Sequence, residues 1–398
     1  MKKSAFLTYI SLAVVLVLSL ISRADTFINR KTKQVYNGYA TQQIKDGKNT
    51  VHTKDNGNVE LYLTKWDISP NRLGRKNKVI ALVLDSGISL EIQTKAMEEA
   101  IVEASNQGPL FILIEIDTPG GRVDLAQRIC TTIIKTNNCQ IFAFINGGRV
   151  GGAISAGAAV SLACDKIYMA ENTTIGAASM MVMGDEGPKD IKDQYGGDVG
   201  EKMSSYWRTY MASLAQRRGK PGMLASAMVD RDIEVIEVSH LNKRFFIDPV
   251  NNVPKQKIIR TWSKKGSLLT MTSKDALEGH VADNIFASRE ELLRDLNADK
   301  AKVEVNKVFE KATTEYTRAV KKYNRLLKDI DLKAKQYKSD QLKPTALRTV
   351  RKAITDYKMA IRLAKAYPDM EADIHALENA LNSAKAAYDS MRKSSGRR

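Results

Sequence analysis

The sequence predicts an α/β core with a small β module on its N-terminal side and a helical bundle on its C-terminal side. Three observations carry that prediction. From Lys78 to about residue 170, apolar runs of strand length alternate with helix-length stretches, the mark of a parallel sheet covered on both faces. Before them, residues 26 to 75 alternate polar and apolar side chains between glycine-containing turns. After about Ala298, apolar residues recur at alternating spacings of four and three, the period of packed helices.

Composition fits this plan. A chain of 398 residues has room for two or three domains. Its hydrophobic fraction of 43% and charged fraction of 27% are those of a globular protein. The formal net charge of +17 is unusual, and roughly +11 of it falls from Asp299 onward on a count of side chains. Such a region attracts nucleic acid, anionic lipid or an acidic cell-wall polymer. The plainer reading is a solvated helical surface.

The elements follow in order. Residues 1–24 read as a secretory signal: Lys2 and Lys3, an apolar run from Ala5 to Ile21, then Ser22-Arg23-Ala24 ahead of a cut before Asp25. The run is slightly long for a signal core, so a retained membrane anchor is the alternative. Either way the chain is expected to be exported, to periplasm or extracellular space. Residues 25–76 form the β module, with turns at Lys45-Asp46-Gly47 and Asp55-Asn56-Gly57 and a strand over 59–63.

Residues 77–297 form the α/β domain. Strands are expected at 79–84, 110–116, 140–145 and 166–169, with helices near 92–105, 123–136 and from Ser155 to Cys164. Met183 to Gly200 reads as a mobile loop, followed by a helix from about Gly200 to Arg217 that Gly219 and Pro221 close. Residues 253–290 give a hairpin and a final unit ending Gly279-His280-Val281-Ala282-Asp283. Residues 298–398 give three heptad-patterned helices broken at Pro344 and Pro368, a basic antiparallel three-helix bundle or coiled coil. Packing explains the bundle tyrosines better than base stacking, so nucleic acid is not an expected partner.

The three cysteines fit no metal-ligand spacing. Export would permit a Cys130–Cys139 disulfide, though spacing alone cannot bring their Cα atoms together. Cys164 lies in an apolar run and reads as a buried small residue.

Two glycine-rich stretches carry the chemistry. Asp117-Thr118-Pro119-Gly120-Gly121 follows a strand and opens a helix; Gly151-Gly152-Ala153-Ile154-Ser155-Ala156-Gly157 does the same. The second sets one hydroxyl among residues too small to hide it. A serine attacks only if a base takes its proton and donors receive the developing oxyanion. Ser155 is the candidate nucleophile; the N–H of Ala156 and that of Gly120 or Gly121 are candidate donors. Of the four histidines, His52 and His375 lie in the flanking regions and His280 in a terminal turn, leaving His240 as the one serious histidine candidate. Lys202, near a helix start where the dipole disfavours the ammonium form, is the better base. Lys189 and Lys192 read as solvated loop residues.

The succession Ile116-Asp117-Thr118-Pro119-Gly120-Gly121-Arg122, Ala153-Ile154-Ser155-Ala156-Gly157, Ala163-Cys164-Asp165-Lys166-Ile167-Tyr168-Met169-Ala170 and Thr174-Ile175-Gly176-Ala177-Ala178 resembles the NfeD-type membrane-associated serine peptidases. It is similar also to the SppA signal peptide peptidases and, more distantly, to ClpP. The resemblance covers roughly residues 78 to 297. It implies a ClpP/crotonase-like spiral fold, a Ser155–Lys202 dyad, oxyanion donors at Gly120 and Ala156, peptide or protein substrates, no metal or organic cofactor, assembly as a homo-oligomer, and association with a membrane or envelope. The expected function is that of an exported serine endopeptidase; the alternative is an inactive peptidase-fold scaffold. The run Gly147 to Gly152 makes an unusually flexible approach to Ser155. NfeD proteins often carry C-terminal membrane spans, where this chain has a basic helical bundle.

Overall fold

The computed structural model describes residues 25–69, 74–184, 187–241, 243–252, 256–340 and 345–395; the signal or anchor segment lies outside them. By its contacts the chain divides into two units, one of residues up to 88 with 97–308, the other of 89–96 with 309–398. Among the described residues no helix is long and apolar enough to cross a membrane.

The first unit opens with the β module. Strands β1 (Asp25–Asn29), β2 (Val35–Lys45), β3 (Lys48–Thr53), β4 (Gly57–Leu61) and β5 (Trp66–Ser69) pair antiparallel in the order β4-β3-β2-β1-β5. The β2–β3 turn has Asp46 at φ 50° and Gly47 at φ 74°, the positive pair a tight hairpin requires. Phe27, Ala40, Val51, Leu61 and Trp66 form its core. The module is tied to the main body rather than separate from it: Arg75 pairs with buried Asp25 and donates to the carbonyls of Asn138 and Pro109 at 2.8 and 3.1 Å.

The chain then winds through β6 (Lys78–Leu84), α1 (Glu91–Asn106), β7 (Phe111–Ile116), α2 (Val123–Lys135), β8 (Ile141–Ile145), β9 (Gly152–Ile154), α3 (Ala156–Ala163), β10 (Lys166–Met169) and β11 (Thr174–Gly176). The strands and helices expected here lie within a residue or two of these positions; β9 and β11 were not expected. A hairpin, β12 (Met181–Gly184) with β13 (Gly187–Asp190), leads to α4 (Ile191–Tyr195), α5 (Gly197–Arg217) and α6 (Gly222–Val229). The stretch read as a mobile loop is therefore a hairpin and a short helix. Its Asp190 caps α4 by accepting from Lys192 N–H at 2.9 Å, a start signal masked by the surrounding charge and glycine.

Strands β14 (Val235–His240), β15 (Lys243–Ile247) and β16 (Lys257–Ser263) make an antiparallel sheet; β17 (Thr270–Thr272), α7 (Ser273–Glu278), β18 (Asn284–Ile285), α8 (Arg289–Asp295) and β19 (Lys302–Asn306) close the unit. The central sheet is parallel throughout, in the order β18-β10-β8-β7-β6-β19. Every residue of β7 and β8 is buried, as covering on both faces demands. Val79, Leu113, Phe142, Phe144 and Tyr168 pack on one side with Phe286 and Leu292. Edge strand β19 falls where the bundle was expected to have begun. A smaller sheet, β17-β11-β9, stands beside Ser155, with β9 and β11 parallel. All three cysteines are buried and free, so the Cys130–Cys139 bridge is not formed.

The second unit is helical. Helices α9 (Val308–Asp340), α10 (Thr345–Ala366) and α11 (Ile374–Ser395) bury Phe309, Ala312, Ala319, Ile330, Val350, Ala353, Ile361 and Leu381 at the expected spacings. Tyr316 lies by Asp369 and Lys333 by Asp356, so α9 and α10 run antiparallel. The sequence places these residues on one apolar stripe per helix.

Candidate active site

The turn after β7 sits at the C-terminal edge of the sheet, where open α/β sheets bind ligands. Thr118 bridges to Ala153 of β9: its N–H donates to Gly152 O at 2.9 Å and its carbonyl accepts from Ile154 N–H at 3.0 Å. On the other side Ser155 N–H donates to Gly176 O of β11 at 2.8 Å. Strand β9 is thus clamped from both sides, and Ser155 stands where it gives way to α3. The Ser155 backbone is at φ 55°, ψ −120°. A side-chain-bearing residue held there costs about 1–3 kcal/mol, and such strain gathers at functional sites. Strand, strained serine and helix follow one another as in a nucleophile elbow. That hydroxyl has no partner among the described residues, and Ser155 is half-buried.

Gly120 lies against it. Its φ is 100°, and a Cβ there would stand 2.5 Å from Ser155 Cβ and 3.0 Å from Ala156 N, so glycine alone fits. Ala156 and Gly157 open α3, so their N–H groups have no carbonyl one turn back and lie at the positive end of the helix dipole. Gly120 N–H donates to Thr118 Oγ1 at 3.1 Å, and that hydroxyl donates onward to Ser86 O at 2.7 Å. Gly121, at φ 152°, bridges to Ile88. The fold therefore brings together Ser155, Gly120 and Ala156, with Gly121 next in the chain.

Asp117 had no role in the sequence reading beyond its place in the turn. Its buried carboxylate accepts from the N–H groups of Val150, Gly151 and Gly152 at 3.1, 2.8 and 3.2 Å. A Cβ at Gly148 would stand 2.6 Å from Asp117 Oδ2. The glycine run before Ser155 is thus pinned, not loose; its glycines let the backbone wrap one carboxylate.

The lysines divide sharply. Lys202 is exposed on α5 and unpaired among the described residues. The helix buries Gly200, Ser204, Trp207, Met211, Leu214 and Ala215, and Lys202 lies on the opposite side of that stripe. The structure does not join it to Ser155. Lys192, read as solvated, instead holds Asp230 at 2.9 Å and Glu201 at 3.0 Å, and Arg208 binds the same two carboxylates. Burial works to lower the Lys192 ammonium, but hydrogen bonds to Asp230 and Glu201 outweigh it and the net shift is upward; it is unsuited to accept a proton. Lys220 is drawn down by burial, against its bond to Asp283 at 2.7 Å. It lies by Cys164 and Asp283, at the far end of α3 from Ser155, about 12 Å of helix away. None of the four histidines touches Ser155: His240 ends β14 opposite Lys243, His280 occupies a turn at φ 57°, His52 contacts Asn58 and His375 contacts Asn379.

A parallel spiral core with a smaller sheet beside it, a serine elbow and a facing Gly-Gly turn define an α/β protein of the ClpP/crotonase-like class. Residues 90–247 match the family model described as NfeD1b, N-terminal domain. The membrane protein NfeD1b of Bacillus subtilis is 25% identical over 241 residues, 61% of this chain and 46% of that protein. The membrane-bound protease PH1510 of Pyrococcus horikoshii is 30% identical over 124 residues, 31% of this chain and 26% of that protein. The chain spans less than half the length of either relative. Among solved structures, the 1510-N membrane protease specific for a stomatin homolog from Pyrococcus horikoshii is 21% identical, covering 58% of this chain and 92% of its own, at a TM-score of 0.38.

Proposed function

We propose that the central domain hydrolyses peptide bonds, with Ser155 as nucleophile and Lys202 as the base. The observation that carries this reading is the strained elbow at Ser155, whose Cβ stands against Gly120 at the open end of α3 and whose hydroxyl has no partner among the described residues. Ser155 Oγ attacks the substrate carbonyl carbon while its proton passes to the Lys202 amine. The oxyanion accepts from Ala156 N–H and from the Gly120-Gly121 turn. Collapse expels the amine, which takes the proton back, and water then cleaves the acyl-enzyme by the same route. The substrate lies as an extended strand beside the glycine turns. For Lys202 to serve, the head of α5 must turn it inward as a peptide fills the cleft. Gly196 and Gly197, whose Cβ positions meet nothing within 4 Å, leave room for that, and enclosure by substrate strips the water that keeps an amine charged. The name of the Pyrococcus horikoshii relative, a membrane-bound protease, supports the reading. So does the name of the Bacillus subtilis relative for action at a membrane; export and homo-oligomeric assembly belong to the same proposal.

The exposed position of Lys202 favours a second reading, an inactive peptidase-fold scaffold. A serine-directed phosphonate separates the two. Peptidase action predicts a covalent adduct on Ser155, absent from Ser155→Ala and slowed on the order of 100-fold or more in Lys202→Ala, the usual worth of a positioned base. A parent protein that neither takes the label nor cleaves peptides is the scaffold.

A further inference from the structure

The outer faces of two helices in the second unit carry charge that packing does not explain. On α9, Arg318, Lys321, Lys322, Arg325 and Lys328 are all exposed, and among the described residues none has an ion-pair or hydrogen-bond partner. At 3.6 residues per turn their spacing puts them on one side, opposite buried Ala312, Ala319 and Ile330. Helix α9 has no carboxylate between Glu315 and Asp329. On α10, Arg348, Arg351, Lys352, Lys358 and Arg362 repeat the pattern, exposed and unpaired among the described residues. The one carboxylate of α10, Asp356, is taken by Lys333 at 2.6 Å. Like charges three and four apart weaken a helix, so these stripes are carried against local stability.

We propose that the two basic faces dock on the surface of an anionic lipid bilayer. The stripes run about 15 Å along α9 and about 21 Å along α10, each facing away from its helix's buried side. A bilayer whose charged lipids diffuse laterally meets such a spread without needing a register. A single-stranded nucleic acid would need exposed rings to stack on, whereas Tyr316, Tyr323, Tyr337, Tyr357, Tyr367 and Tyr388 are all half-buried in the bundle. Kept as an anchor, the apolar run Ala5–Ile21 would hold the chain at a membrane. These helices belong to the second unit and Ser155 to the first, and the proposal stands apart from the peptidase reading.

The test is lysine footprinting of the full-length chain, reconstituted in neutral phosphatidylcholine vesicles or in vesicles containing about a third phosphatidylglycerol. An amine-acetylating reagent should modify Lys321, Lys322, Lys328, Lys352 and Lys358 roughly fivefold more slowly on the anionic vesicles. The difference should vanish at about 0.5 M salt, and Lys45 of the β module should react alike in both. Equal reactivity of the five lysines on the two vesicle types overturns the proposal. So does protection that appears only when duplex DNA or heparin replaces the anionic lipid.

Discussion

Replacing Asp117 by alanine removes one carboxylate and orphans three backbone donors. Gly152 N–H is buried, whereas Val150 and Gly151 are half-buried and can recover water. A buried donor left without an acceptor costs about 1–3 kcal/mol, and donors reached by water cost less. Removing the buried charge returns part of this. The net expected loss for Asp117→Ala is about 2–3 kcal/mol by that accounting. Asp117→Asn keeps an acceptor oxygen for two of the donors but turns an NH2 on the third, so about 1 kcal/mol is expected. The assay pairs urea unfolding with amide hydrogen exchange. Exchange at residues 150–152 should accelerate well beyond what global destabilisation explains, because their three N–H groups lose the acceptor they share. Phosphonate labelling of Ser155 should slow in the same order, alanine more than asparagine. If the alanine variant unfolds within about 0.5 kcal/mol of the parent and the 150–152 amides keep their protection, the carboxylate does not hold the approach to Ser155.

Gly120→Ala should fold yet lose labelling on the order of 100-fold, because its Cβ would press on Ser155 Cβ at 2.5 Å with φ at 100°; an unchanged labelling rate refutes the contact. Burial works to raise the Asp230 carboxyl, but the Asp232 N–H bond and the Lys192 and Arg208 cations outweigh it and hold it below the ordinary range. The unfolded chain then binds more protons, so this site's stability is present above about pH 4 and is lost as pH falls through the depressed folded value. Asp230→Asn should accordingly show a smaller drop in urea midpoint between about pH 6 and pH 3 than the parent, and equal drops would count against the network. Burial pushes the Cys130 and Cys139 thiols up to about 12. A thiol reagent at about pH 8 should therefore find none in the native protein and all three after denaturation; a single reactive thiol after non-reducing denaturation would mean that two are bridged.

The parts of this fold readable from sequence are those whose physics is local. Strands β6, β7 and β8 read as nearly continuous apolar runs because both faces are covered. The elbow at Ser155 was legible because a serine among Ala and Gly leaves little else to explain it. The sheet β14–β16 was not foreseen, because exposed Lys243, Arg244 and Lys257 break its apolar alternation. The grip of Asp117 was hidden because it acts on backbone N–H groups 33 to 35 residues away. The facing of Lys202 could have been found. Residue 202 lies two positions from Gly200 and from Ser204, which share the buried stripe of α5, and two positions is the wrong side of a helix turning about 100° per residue.

The asymmetry within the site has a physical cause. Ser155 and the proposed oxyanion donors sit on a firmly held backbone: Gly120, Gly121, Ser155, Gly176 and Ala177 all have positive φ; Gly120 and Gly121 are tied to Ile88, Ser155 to Gly176 and Ala177 to Leu269. Such a backbone arrangement is expensive to distort and stands in place without a substrate. The base candidate is a long side chain on the first turns of α5, whose neighbour Glu201 is bound to Lys192 and Arg208. Turning Lys202 inward must disturb those ion pairs, which hold the helix head to Asp230. The energy for that can come only from substrate contacts, so binding energy would be spent on assembling the dyad rather than on affinity. Truncated peptides should then lose kcat more than they gain in KM, whereas Glu201→Gln, by loosening the helix head, should recover part of the kcat of short peptides while leaving long ones unchanged. Equal effects of Glu201→Gln on short and long peptides would show that the ion pairs play no part in presenting the base.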